Sequence, residues 1–78
     1  MDYREGGAVS DFPTRLRQLR ERRRISRRVL SELCGLRTNA VRLYEREEAK
    51  PNMESLIALA DFFEVSIDYL VGREEKKF

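Results

Sequence analysis

The stretch whose reading decides the fold is Ser26-Arg27-Arg28-Val29-Leu30-Ser31-Glu32-Leu33-Cys34-Gly35, continuing as Leu36-Arg37-Thr38-Asn39-Ala40-Val41-Arg42-Leu43-Tyr44-Glu45. Ser26 is a good N-cap, since its hydroxyl can accept from a first-turn amide. The apolar spacing after it predicts a short helix over about 27–34, with Leu30 and Leu33 facing a core and Val29 flanking them. Ser31 is small enough to let a neighbouring backbone approach. Gly35 stands where a helix stops at a left-handed residue, a conformation that glycine adopts without steric penalty. A second helix is predicted over about 38–46, with Leu36, Val41 and Tyr44 inward and Thr38, Asn39, Arg42 and Leu43 outward.

Length and composition bound what surrounds this pair. A chain of 78 residues holds one domain. Folding at this size buries only about 60% of the extended chain's surface, and one small core supplies about 3–5 kcal/mol. Local helix packing is therefore favoured over a large sheet. With 41% apolar and 38% charged residues, neither a disordered chain nor a membrane protein fits. No run approaches the roughly 18 apolar residues of a membrane span, and the N-terminus lacks the apolar segment of a signal peptide, so a cytoplasmic protein is expected. Cys34 is the only cysteine, which suits a reducing compartment and a small, partly buried packing residue. The absence of histidine removes the usual base for serine or cysteine catalysis and makes zinc ligation implausible. No enzyme, metal or cofactor is expected.

The net charge of +2 hides an asymmetry. Residues 11–50 carry 12 basic and 6 acidic side chains, and residues 51–78 carry 3 and 6. Arg15, Arg17, Arg20, Arg22, Arg23, Arg24, Arg27 and Arg28 are opposed within their span only by Glu21. Such a front half suits a polyanion, because guanidinium binds phosphate in a planar fork; a merely solvated helix face is the plain alternative.

Taken in order, residues 1–9 have no periodicity and are predicted to form a flexible leader. Ser10 or Asp11 offers an N-cap, Pro13 fits a first turn, and Phe12, Leu16 and Leu19 carry a first helix to about Arg23. After the central pair, Asn52 caps a fourth helix over about 53–63, with Leu56, Leu59, Ala60 and Phe63 inward. Ser66 caps a fifth over about 67–70, Gly72 closes the domain, and residues 73–78 form a charged tail. The expectation is an all-α domain over 10–72, five short helices on one core. Its central pair reads as a helix-turn-helix, whose second helix can enter the DNA major groove.

Ser26 to Leu36, followed by Val41, Tyr44-Glu45-Arg46, Pro51, Leu56, Ala60 and Val65-Ser66-Ile67-Asp68-Tyr69-Leu70, resembles the XRE family of phage-repressor-like helix-turn-helix domains, the Cro and lambda-repressor type. The spacing agrees without a gap over about 12–72. The resemblance implies a compact lambda-repressor-like fold and a sequence-specific transcriptional regulator, a repressor, inserting its third helix into double-stranded DNA. By position it assigns base reading to Thr38, Asn39 and Arg42, a phosphate grip to Arg27, and a salt bridge between the first and third helices to Arg20 and Glu45. It also assigns dimer contacts to the carboxyl-terminal end, where Phe62, Ile67, Tyr69 and Val71 offer more apolar surface than a monomer needs.

Chemistry agrees with the assignment of Asn39 and Arg42, which can present paired groups to adenine and guanine edges at about 1–3 kcal/mol of discrimination each. Arg28, Arg37, Arg46 and Lys50 are the further candidates for phosphate contact. A homodimer sets two recognition helices about one DNA turn apart on a pseudo-palindromic operator. No small-molecule ligand is evident.

Several residues depart from the family pattern. Arg37 replaces the usual Ser or Thr cap of the third helix, and Glu47 and Glu64 stand where glycine is usual. Leu43 replaces a polar or basic residue, and Glu47 with Glu48 brings negative charge near the phosphate path. Two alternatives follow: an adaptor that keeps the fold and binds a protein partner, and the antitoxin and autorepressor of a toxin-antitoxin pair.

Overall fold

The computed structural model describes the backbone of residues 7–73 and the side chains of residues 11–73. Most of the leader (residues 1–6) and all but the first residue of the charged tail (74–78) lie outside the described residues. Five helices follow in order: α1 (Gly7–Arg22), α2 (Arg27–Leu33), α3 (Ala40–Glu45), α4 (Met53–Phe63) and α5 (Ile67–Leu70). No strand occurs among the described residues, and the all-α, five-helix reading is borne out.

Four of the five helices are shorter than the roughly 12–15 residues at which an isolated helix becomes marginal in water, so packing must supply their stability. Each contributes one aliphatic side chain with no exposed surface: Leu16, Leu30, Val41, Leu59 and Leu70. Phe12, Leu19, Ala40, Tyr44, Ala60 and Phe63 complete the core around them. Three helices are capped by their own sequence. Ser26 Oγ accepts from Val29 N at 3.0 Å, Asn52 Oδ1 from Ser55 N at 2.8 Å, and Ser66 Oγ from Tyr69 N at 2.9 Å.

All five helices end alike, with paired backbone bonds around a residue of positive φ. At α2, Gly35 (φ +72°) N donates to Glu32 O at 3.1 Å and Leu36 N to Ser31 O at 2.8 Å, the paired pattern of a left-handed cap. Gly72 plays this part after α5, where a Cβ would also collide with the Cβ of Asp11. Arg24, Glu47 and Glu64 hold the same conformation without being glycine, at φ 57°, 62° and 59°. Glu47 and Glu64 fall where the sequence departs from the family's glycines; Arg24 carries no such signal.

The six residues of α3 are held from behind by three different helices. Ser31 of α2, fully buried, accepts from Val41 N at 3.0 Å through its Oγ, which itself donates to Arg27 O at 2.9 Å. Tyr44 OH donates to Ser55 Oγ of α4 at 3.1 Å. Arg20 of α1 grips Glu45 with both arms of its fork, Nε to Oε2 at 2.7 Å and Nη2 to Oε1 at 3.0 Å, and Nη1 donates to Ile25 O at 3.0 Å. Glu45 is buried, and its hydrogen bond raises the already high pKa of Arg20. The guanidinium therefore stays charged, and its side of the pair in place, until pH rises through the arginine range.

Three local expectations are corrected. α1 begins at Gly7, ahead of Ser10 and Asp11, and Pro13 lies inside it. The fixed φ of proline fits a continuing helix, and what it removes is the amide that would bond the carbonyl of Val9. Leu33 is 59% exposed and Val29 41%, because the inner face of α2 is centred between Leu30 and Ser31 and Leu33 falls on the far side of Leu30. Regular α3 starts at Ala40, so Thr38 and Asn39 belong to the turn that leads into it.

Arg20→Ala leaves Glu45 buried without its partner. It is expected to destabilise the domain by about 3 kcal/mol, read as a lowered denaturation midpoint in urea. Glu64→Gly relieves a left-handed penalty at an exposed site and is expected to stabilise by about 0.5–1 kcal/mol after the entropy of glycine is counted. Thermal unfolding followed by circular dichroism should show a rise of several degrees, at about 4–8 °C per kcal/mol for a domain of this size.

Candidate nucleic-acid interface

The first-turn amides of a helix need acceptors, and α3 does not supply its own. Asn39 occupies the N-cap position with φ −102° and ψ 11° and makes no side-chain cap bond. Ser31 of the preceding helix fills that role from across the turn by accepting from Val41 N. A backbone bond from Ala40 N to Arg37 O at 2.9 Å tightens the entry. Neither the Thr38 nor the Asn39 side chain is consumed in making the helix.

Ala40, Val41, Tyr44 and Glu45 are buried, so the opposite side of α3 faces solvent. Thr38, Asn39 and Arg42 are all exposed. None of them makes a side-chain hydrogen bond or ion pair among the described residues. Asn39 and Arg42 are three positions apart, and Thr38 and Arg42 four, a spacing that brings side chains to one side of a helix and its approach. Leu43 lies at the margin, half-buried.

The candidate phosphate contacts divide into two groups. Arg27, Arg37 and Lys50 are exposed and carry no ion pair among the described residues. Arg37 and Lys50 border an open cleft of ≈ 540 Å³ between the α2–α3 turn and the start of α4, with Asn39 at its lip. Arg28 and Arg46 are engaged with carboxylates of their own chain: Arg28 Nε lies 3.2 Å from Glu32 Oε2 and Arg46 Nε 2.9 Å from Glu48 Oε2. Arg17, which sequence reasoning did not single out, stands on the same side of α1 as Arg20, 4.0 Å from Glu45 and half exposed.

Phe62, Ile67, Tyr69 and Val71, expected at a dimer contact, are half-buried against the core of their own chain. The Phe62 ring stands edge-on to Phe63, with centroids 5.0 Å apart. Among the described residues the most exposed large apolar side chains are elsewhere, Val29 and Leu33 on α2 and Met53 and Ile57 on α4. Cys34 packs with Sγ 3.8 Å from Ala58 O, and burial pushes its thiol pKa up, away from the reactive thiolate. No group of metal-ligating side chains that could hold an ion occurs among the described residues, and no described helix is long and apolar enough to cross a membrane.

Comparison with known proteins gives this geometry relatives. A family model described as helix-turn-helix matches residues 16–70. Over 58 residues the chain is 38% identical to YobD, an uncharacterized HTH-type transcriptional regulator of Bacillus subtilis, an alignment that covers 74% of this chain and 52% of that protein. It is 35% identical over 63 residues to the HTH-type transcriptional regulator AnsR of the same organism, covering 81% and 54%. Repressor protein C2 of Salmonella phage P22 is 35% identical over 57 residues, covering 73% of this chain and 26% of the repressor. The chain thus spans about half the length of the two Bacillus regulators. No solved structure matches it. The motif, the five-helix frame around it and these alignments agree: the chain belongs to the XRE, phage-repressor type of the helix-turn-helix family.

Proposed function

We propose that this chain is a sequence-specific, double-stranded DNA-binding transcriptional regulator, a repressor, that inserts α3 and its leading turn into the major groove. The observation that carries the reading is the state of α3. Its buried side is tied to α1, α2 and α4, while Thr38, Asn39 and Arg42 stand outward with no side-chain partner among the described residues. Base contacts specify and phosphate contacts position, and both kinds of group are present here. Asn39 suits an adenine edge, Arg42 a guanine edge, and the methyl group of Thr38 a thymine.

Arg27, Arg37 and Lys50 are available to phosphates directly. Arg28 and Arg46 exchange a carboxylate for a phosphate on binding, at small expense, because exposed ion pairs contribute only about 0–1 kcal/mol. The DNA-binding domain is taken as residues 10–72, and the chain acts in the cytoplasm as a homodimer on a pseudo-palindromic site. The phage relative named a repressor supports the sign of regulation.

Selection of duplexes from a random pool tests the reading, and failure to enrich any site would overturn it. On the selected site, Arg42→Ala is expected to erase about 5–150-fold of discrimination at one base pair, as 1–3 kcal/mol per bidentate contact implies, with little change in affinity for random DNA. Arg27→Ala should do the reverse. Measured against salt, its log affinity should weaken on all sequences and fall with a slope shallower by about 0.9.

A further inference from the structure

A second surface lies on the flank of the domain turned away from α3. A groove of ≈ 530 Å³ runs between the end of α1, the end of α4 and the start of α5. Leu19, Phe63, Val65 and Tyr69 form the apolar part of its floor, Ser66 lies among them, and Arg22 and Arg23 stand at its edge. Arg20 and Arg22 are two positions apart, about 160° around a helix, and Arg20 is committed to Glu45 of α3. Arg22 therefore looks away from the candidate DNA face, and a duplex lying on α3 leaves this groove open.

The walls are held in place. Arg15 covers the Tyr69 ring at 4.2 Å from its centroid and donates through Nη1 to Tyr69 O at 2.9 Å, which fixes the ring before anything binds. Arg23 rests with its guanidinium 5.3 Å from the centroids of both Phe62 and Phe63. Neither Arg22 nor Arg23 has a carboxylate partner among the described residues. Two unneutralised guanidiniums beside an apolar floor form a surface complementary to a group that joins an apolar side chain to a carboxylate.

We propose that this groove docks an acidic peptide segment of a protein partner. One apolar side chain of that segment sits on Leu19, Phe63, Val65 and Tyr69, and a neighbouring Asp or Glu is gripped by Arg22 and Arg23. An apolar floor is of no use to a phosphate backbone, and Arg prefers the planar carboxylate fork that such a peptide supplies. The site uses no residue of α3.

The test is to pan a displayed library of random 12-residue peptides against the immobilised 78-residue chain, with Arg22→Glu as the counter-target and Arg22→Ala as a milder variant. Among the described residues Arg22 makes no hydrogen bond or ion pair that either change breaks, and thermal unfolding of both variants checks that the fold persists. Enriched peptides are expected to carry an apolar residue next to Asp or Glu and to bind Arg22→Glu at least about tenfold more weakly than wild type. Duplex binding by the variant should match wild type. No enrichment, peptides lacking the acidic and apolar pair, or equal binding to Arg22→Glu would overturn the proposal. A loss of duplex affinity in Arg22→Glu would overturn it too, by assigning the groove to the DNA footprint. Peptide and duplex binding are read separately, so failure of the wild-type chain to select any duplex would leave a positive peptide result standing.

Discussion

One buried oxygen sets the relation between the two central helices. Ser31 Oγ has no exposed surface, donates to Arg27 O within its own helix and accepts from Val41 N of the next. The first bond orients the hydroxyl so that a lone pair faces α3, and the second satisfies a first-turn amide that has no other acceptor. An unmet buried amide costs about 1–3 kcal/mol, a large share of what a core of this size supplies. The angle at which α3 leaves the turn is thereby a condition of stability. Alanine lacks the acceptor, and a larger side chain has no room in a site closed on every side. With the cap supplied from across the turn, Thr38 and Asn39 are released from structural duty.

The electrostatics of the same face follow from which carboxylates are already spent. Glu45 would oppose phosphate if it were exposed, but it is buried under the fork of Arg20 with Arg17 close by. Glu32 and Glu48 are balanced by Arg28 and Arg46. The left-handed turn at Glu47 is what brings Arg46 and Glu48 together, since two positions apart on a regular helix they would point to different sides. Glu48 is thus neutralised by Arg46, while Glu47 stays exposed without an ion pair among the described residues. Arg27, Arg37, Arg42 and Lys50 carry no ion pair among the described residues and remain as free cations of this face.

Much of the frame was legible because helix signals are local. Ser26, Asn52 and Ser66 are N-caps with hydroxyl or amide oxygens at the right offset, and Gly35 marks a stop by its freedom at positive φ. The outward side of α3 could be read because Val41 and Tyr44 are apolar at helical spacing and Asn39 and Arg42 are not. Tertiary facts were not legible in this way. Ser31 looks like a spacer until the third helix is seen to lack its own cap, and Arg24 gives no hint that it will hold a left-handed angle. Leu33 was misread because leucine at i+3 from Leu30 usually lines a core. In a helix of seven residues, one buried serine shifts the inner face by about a quarter of a turn. The partners of Arg28 and Arg46 could have been half foreseen: Arg28 and Glu32 have the i,i+4 spacing of a helical ion pair, but Arg46 and Glu48 do not.

A recognition helix of six residues cannot be rigid by itself, since its hydrogen-bond ladder barely exceeds a nucleus. Its stiffness is borrowed from three neighbours through Ser31, Ser55 and Arg20, each on a different helix. These ties converge on Val41, Tyr44 and Glu45, leaving Arg42 projecting from a segment whose ends cannot tilt independently. Pre-organisation of this kind removes an ordering cost that would otherwise be charged against binding. It also makes recognition inseparable from folding, because α3 holds its place only while α1, α2 and α4 hold theirs. A domain with so small a core has no part that can loosen quietly. Any change that weakens the packing of Leu16 or Leu59 also loosens the outward side chains of α3, although neither residue lies near that face.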